Sequence, residues 1–297
     1  MKVMTIVGTR PEVIKLCLVI NEFDRNFQHV LVHTGQNFDY ELNGIFFDQL
    51  NIRKPDYFLD ASGKNSIQTI SKVISNVDVV IKKELPDAIL LYGDTNSCLS
   101  VISAKRNKIP VFHMEAGNRC FDERVPEEIN RKIVDHLSDI NFVLTEHARR
   151  YLEAEGIQKN MIIKTGSHMF EVLKRYENKY KKSQILKKLK LKKNKYFLFS
   201  IHREENVDVI KNLKLIIDTM EELILKYKLP IIVSTHPRTK ERLNKLNNKK
   251  LSKKINFLKP FGFFDYNCLQ INSYCTISDS GTISEEYSIL DFPAVTL

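Results

Sequence analysis

Long apolar runs are missing from this 297-residue chain; none approaches the roughly 18 residues that a membrane-spanning helix needs. The N-terminal apolar stretch, Val3–Val7, is brief and leads into Arg10, which is not the pattern of a secretory signal. Both absences point to the cytoplasm. Cysteine is scarce and odd in number: Cys17, Cys98, Cys120, Cys268 and Cys275, with no Cys-x-x-Cys pair. That excludes a disulfide framework and the common zinc spacings. Cys17, Cys98 and Cys275 sit in apolar contexts and read as small core residues, and Cys120 reads as a packing residue rather than a nucleophile. No Gly-x-Gly-x-x-Gly follows the first apolar segment, so a dinucleotide-binding reading has little support. The net charge is +10, and much of the excess lies in two Lys-rich runs, Lys179–Lys195 and Lys240–Lys254. Few aromatics are interleaved with those lysines, and nucleic-acid recognition wants Arg and stacking rings beside the charge. The runs read as solvated helices and linkers, whose field also helps an anionic substrate arrive.

What is present is alternation. An apolar strand over Lys2–Val7 leads into Gly8-Thr9-Arg10-Pro11-Glu12 and a helix from Val13 to about Phe23. Strand, glycine turn and helix form the entry unit of a doubly wound fold. Further strands are expected at Gln28–His33, Ala88–Tyr92, Ile109–His113, Asp139–Leu144 and Met161–Lys164. Between them lie a helix from Asp39 to Leu50, one over Ser66–Glu84 with Ile67, Ile70, Val73, Ile74, Val77 and Ile81 inward, and one over Ser97–Arg106. The Lys179–Lys195 run reads as an exposed connection, after which the alternation restarts at Tyr196–Ile201, Pro230–Thr235, Ile255–Leu258, Tyr274–Ser278 and Pro293–Leu297. The expectation is an α/β chain of two Rossmann-like domains, 1–172 and 173–297, facing across a cleft.

Charge is densest in HMEAGNRCFDERVPEEINRKIVDH, His113–His136, where no apolar stripe accounts for it. Charged groups on the loop after a parallel strand are where open α/β proteins place ligand chemistry. Glu115 follows its strand directly, and Pro126 opens a helix with Glu127 and Glu128 behind it. Arg10 and Lys15 are placed to meet an anion near a helix start. Asp94 in Gly93-Asp94-Thr95-Asn96 can cap the next helix or face a ligand. From the second half come His202, His236 and Ser280-Gly281-Thr282, the last offering N–H groups and a hydroxyl to a phosphate. Phe263 can stack on a base or fill the core, and Glu286 can accept from a sugar.

In order along the chain, GTRPE with Lys15, GDTNS, HMEAG with PEEINR, HREEN, THPR, and SDSG followed by Glu285-Glu286 resemble the non-hydrolysing UDP-N-acetylglucosamine 2-epimerase family. The resemblance implies two domains of glycosyltransferase-B type with a UDP-sugar between them, and neither metal nor nicotinamide. It implies that Arg10, His202, Ser280 and Glu286 contact nucleotide or diphosphate; Gly281, His236 and Phe263 are substrate-binding candidates beside them by their place in the loops. It implies that Lys15, Asp94, Glu115 and Glu127 serve catalysis, and His202, gripping the leaving diphosphate, is counted with them. Asn118-Arg119-Cys120-Phe121 and the loop TGQNFDYELN are closer to the branch that makes UDP-N-acetyl-L-fucosamine from UDP-2-acetamido-2,6-dideoxy-L-talose. The family also implies a homodimer and a longer C-terminal end, so the second domain is expected to be truncated here. A glycosyltransferase of the same architecture, an inactive UDP-sugar-binding protein and a hydrolysing epimerase are the competing readings.

Overall fold

The computed structural model describes residues 1–35, 44–245 and 251–297, which form two compact units, Met1–Val172 and Leu173–Leu297. The first contains β1 (Lys2–Val7), β2 (Gln28–His33), β3 (Tyr57–Phe58), β4 (Ala88–Tyr92), β5 (Val111–Ala116), β6 (Ile140–Val143) and β7 (Ile162–Lys164). All pair in parallel, in the order β3-β2-β1-β4-β5-β6-β7. The second contains β8 (Phe197–Ile201), β9 (Ile231–Thr235), β10 (Ile255–Leu258), β11 (Cys275–Ser278) and β12 (Ala294–Thr296), parallel in the order β10-β9-β8-β11-β12.

The central parallel strands are covered on both faces, so they are largely apolar. Phe197, Phe199 and Ile201 of β8 pack with Met220 and Ile224 of the Ile210–Tyr227 helix. The alternate residue Leu198 packs on the other face with Tyr196, Ile185 and Leu269. In the first unit Met4, Ile6, Ile89 and Leu91 meet Val73, Val77 and Ile81 of the Ser66–Glu84 helix.

Each sheet has one place where the strand order turns back, between β1 and β4 and between β8 and β11. At such a point two neighbouring strand ends send their loops apart and leave a crevice for a ligand.

Several local expectations need correction. The first helix spans Arg10–Asn26, so Arg10 is its first residue and not part of the turn. On the Ser66–Glu84 helix Ile67 is exposed, and Val80 joins the buried face instead. The Ser97–Arg106 segment divides into a 3-10 turn, Asn96–Ser100, and a helix, Val101–Arg106. The Lys-rich run is more than a connection: Tyr180 and Ile185 are buried within it, and two short helices, Glu177–Lys181 and Ile185–Lys188, form there. Cys120 is exposed and Cys275 half-buried, whereas Cys17, Cys98 and Cys268 are buried. The expected helix from Asp39 is found only over Gly44–Gln49, and residues 36–43 lie outside the described chain.

Candidate active site

In the first unit, Asp94 lies close enough to Glu115 and Glu127 to feel both charges. Glu115 lies inside β5, not after it, and has a left-handed backbone, φ 67°. The β5–β6 register shifts between Met114 and Ala116, so the bulge re-aims this one side chain. A non-glycine residue in that conformation costs on the order of 1 kcal/mol, and such strain collects at functional sites. The Glu115 carboxylate accepts from Lys15 Nζ at 2.6 Å and Tyr92 Oη at 2.5 Å. Burial alone would raise its pKa, but the Lys15 charge and hydrogen bond, with Tyr92 and His168, hold it below the ordinary value. The His168 ring meets Tyr92 edge-on at 5.7 Å.

Asp94 does not cap the helix that follows; Thr95 is the residue at that position. Its carboxylate instead accepts from Arg131, Nη2 at 2.5 Å and Nε at 3.1 Å, and its carbonyl accepts from Asn130 Nδ2 at 2.9 Å. Its pKa is raised, first by burial and further by the charges of Glu115 and Glu127, which together outweigh Arg131. Glu127 is exposed in the first turn of the Pro126–Leu137 helix. Glu128 behind it is buried and accepts from the backbone N–H groups of Cys120 and Phe121, both at 3.1 Å, and from Arg131 at 2.7 Å. One carboxyl with a raised pKa near one with a lowered pKa, with a third facing solvent, is an arrangement suited to passing protons.

Beneath the first-unit loops lies Glu12, 2% exposed. It accepts from the N–H groups of Gly8 and Thr9 and from the hydroxyls of Thr95 and Ser97, joining the turn just before Arg10 to the loop that carries Asp94. The loop is tight: a Cβ on Gly8 would collide with Thr34 Oγ1. The Arg10 guanidinium lies 5.5 Å from the centre of the Phe46 ring.

In the second unit, Asp279 plays the corresponding part. It is 2% exposed and accepts from the backbone N–H of His202 at 3.0 Å, that of Arg203 at 2.9 Å and Asn206 Nδ2 at 3.1 Å. His202 Nδ1 stands 3.1 Å from Asp279 Oδ1. The His202 and His236 rings are 6.4 Å apart, and Arg203 comes within 3.6 Å of where a Gly281 side chain would begin. Ser280 and Thr282 share a hydroxyl contact of 3.0 Å, and Thr282 donates to Glu286, which also accepts from Gln270 at 2.5 Å. Imidazole, guanidinium, hydroxyls and a helix start thus gather at the ends of β8, β9 and β11, a set suited to a diphosphate. Phe263 is the first residue of the Phe263–Asn272 helix and is 4% exposed; it packs edge-on against Tyr176 and Phe264, so it stands as a core aromatic.

The family model described as UDP-N-acetylglucosamine 2-epimerase matches residues 21–297. The chain belongs to this family. A solved UDP-N-acetylglucosamine 2-epimerase from Rickettsia bellii is 58% identical, with a TM-score of 0.90 over 99% of this chain and 78% of that one. The Methanocaldococcus jannaschii epimerase, solved with UDP-GlcNAc and UDP, is 36% identical, with a TM-score of 0.93 over 100% of this chain and 84% of that one. A Methanococcus maripaludis UDP-N-acetylglucosamine 2-epimerase homolog is 40% identical over 100% of this chain and 84% of its own length. The expected family and the two-sheet α/β architecture are borne out. Among the described residues of this family member, no helix is long and apolar enough to cross a membrane.

Within each unit, the residues singled out by sequence fall at the same edge of the sheet. Sequence alone assigns no role to Tyr92, Glu12 or Asp279, and leaves Arg131 either bracing Glu115 and Glu127 or structural. Glu12 had a visible signal, because Thr9-x-x-Glu12 is a capping-box spacing. Arg131 and Asp279 were quoted within motifs, yet their partners lie 37 and 77 residues away and leave no local trace.

Proposed function

We propose that the chain inverts C2 of a UDP-N-acetylhexosamine by elimination and re-addition of UDP. The observation that carries this is the cluster of Asp94, Glu115 and Glu127, whose first two members are displaced in opposite directions. C2 of such a sugar is not beside a carbonyl, so its proton is poorly acidic and direct exchange is slow. Breaking C2–H and C1–O together avoids a full carbanion. The C2 proton passes to a carboxylate, the C1–O electron pair leaves with UDP, and a 2-acetamidoglycal remains. Return of a proton to the other face, with UDP rejoining C1, gives the epimer. This requires proton carriers on both faces and cations on the diphosphate. In this reading Asp94 is the better proton carrier near neutral pH, Lys15 keeps Glu115 ionised, and Glu127 serves from its helix start. Arg10, His202, His236 and the Ser280-Gly281 helix start hold UDP, with Glu286 on the nucleotide sugar.

UDP-N-acetylglucosamine is the first substrate to offer, and UDP-2-acetamido-2,6-dideoxy-L-talose the second. NMR in D2O, with no acceptor sugar, follows C2 configuration and label together. Inversion with one deuterium at C2 is expected. Inversion without label removes the proton-transfer roles, and binding of UDP with neither change supports an inactive UDP-sugar-binding protein instead. Free N-acetylmannosamine as product marks hydrolysis. A cytoplasmic location and a homodimer go with this reading, and cell fractionation and light scattering test them.

A further inference from the structure

Behind Asp94 and Glu115 lies an ion cluster that the reading above does not use. His113 of β5 is fully buried. Its Nδ1 stands 2.8 Å from Asp135 Oδ1 and its Nε2 stands 2.8 Å from the carbonyl oxygen of Gly93. A carbonyl only accepts, and so does an ionised carboxylate. Asp135 is held ionised: its second oxygen accepts from Arg119 Nη1 at 2.7 Å and the Gly117 N–H at 3.1 Å. A neutral imidazole would set a lone pair against one of these two acceptors, at a cost that burial makes large. Both ring nitrogens therefore carry protons.

The backbone that this ring holds is the one between the two carboxylates. Gly93 is fixed twice, its N–H donating to Met114 O at 2.9 Å and its carbonyl accepting from His113. Its φ of 64° turns the chain so that Asp94 follows immediately. The Gly117 N–H, two residues beyond Glu115, is tied to Asp135. We infer that His113 is a positioning residue, a buried imidazolium that sets the Asp94 backbone against Glu115 and supplies a fixed positive charge behind Asp94. The inference rests on the proton-carrier roles proposed above.

The charged groups around the ring are Asp94 from the loop after β4, Asp135 from the Pro126–Leu137 helix and Arg119 from the loop after β5. Arg119 is shared with Glu155, and Asp94 with Arg131. Burial pushes the His113 pKa down, but the Asp135 hydrogen bond and charge, the Gly93 carbonyl and Asp94 together raise it.

The test is NMR on the whole chain, independent of turnover. With 15N-labelled histidine, His113 is assigned by its loss in H113N, and both ring nitrogens are expected to show imidazolium shifts at pH 7. A neutral tautomer at pH 7 overturns the proposal. With 13C-labelled aspartate, the Asp94 carboxyl is expected to titrate at higher pH in H113N than in the parent, since the variant removes a nearby cation. An unmoved Asp94 titration in folded H113N also overturns it, because a merely structural role would not move that value. If H113N fails to fold, the His113 ring is assigned in the parent by correlating its side-chain and backbone resonances, and its 15N state decides alone. In turnover, H113N is expected to lose roughly 10–100-fold in kcat with little change in KM. Absence of C2 exchange in the parent with every UDP-sugar removes the proposed function while leaving both NMR outcomes decisive for His113.

Discussion

Each unit closes its switch point with one buried carboxylate, and the two carboxylates are built in opposite ways. Glu12 belongs to the first loop of its unit and reaches across to Thr95 and Ser97 after β4. Asp279 belongs to the later loop, after β11, and reaches back to His202 and Arg203 after β8. The partners differ in kind. Glu12 meets only neutral N–H groups and hydroxyls, and its burial pushes the pKa up to about 6. Asp279 is also buried, but the His202 ring, the Arg203 N–H and Asn206 hold its carboxyl below the ordinary value. The same tie between two strand ends is therefore made by a carboxyl with a raised pKa in one unit and by one with a lowered pKa, beside a cationic loop, in the other. The proposed proton carriers stand near the first of these ties, and most of the groups proposed to hold UDP stand near the second.

The largest effect separates those two tasks. E115Q and D94N are expected to lose roughly 10²–10⁴-fold in C2 exchange with little change in UDP affinity. H202A and S280A are expected to weaken UDP binding about tenfold each, roughly 1.4 kcal/mol, as lost contacts to a charged ligand would. Isotope exchange read beside calorimetric titration with UDP gives both numbers. If the two pairs of variants change the same quantity, the division between the units does not hold.

A smaller effect addresses the Asp279 brace itself. In D279N one carboxylate oxygen becomes an amide that must face the N–H groups it formerly accepted from. Loss of charge-assisted bonds at a buried site predicts about 3 kcal/mol of destabilisation, seen in chemical or thermal unfolding. UDP affinity should fall with it, because the His202-Arg203 turn is no longer pinned. Unchanged melting with unchanged affinity would show that the turn is held by other means.

How much of this could be read in the sequence depends on range. β1, β4, β8 and β9 were legible because a doubly covered parallel strand is apolar at most positions. Asp94, Glu115, His202 and Ser280 were legible because they end or follow such strands. Glu115 shows the limit: its place within β5 and its left-handed backbone come from a register shift against β6, which no local pattern records. Ile67 keeps helical spacing yet is exposed in the first turn of its helix. The Arg131–Asp94 pair and the reach of Glu12 to Thr95, 83 residues on, are products of strand order and needed the fold to be seen.

The smallest effect, and the one that most sharpens the comparison, is the pH dependence of E12Q. Glu12 holds its proton more tightly folded than unfolded, about 6 against 4.5. Its stabilising contribution is therefore complete below pH 4.5 and is lost as pH rises through about 6, a change of about 2 kcal/mol for ~1.5 units. The glutamine variant has no such loss, and its amide can donate to Thr95 and Ser97 while its oxygen accepts from Gly8 and Thr9. E12Q should therefore gain on the parent as pH rises from 4.5 to 7 in paired unfolding curves. Asp279 has the opposite sign: its contribution is present above its ordinary value of 3.8 and fades as pH falls through the depressed one. The deficit of D279N should accordingly be full at neutral pH and shrink only under strong acid. If E12Q instead drops further below the parent between pH 5 and 7, ionised Glu12 is itself the stable form, and the two switch points work alike.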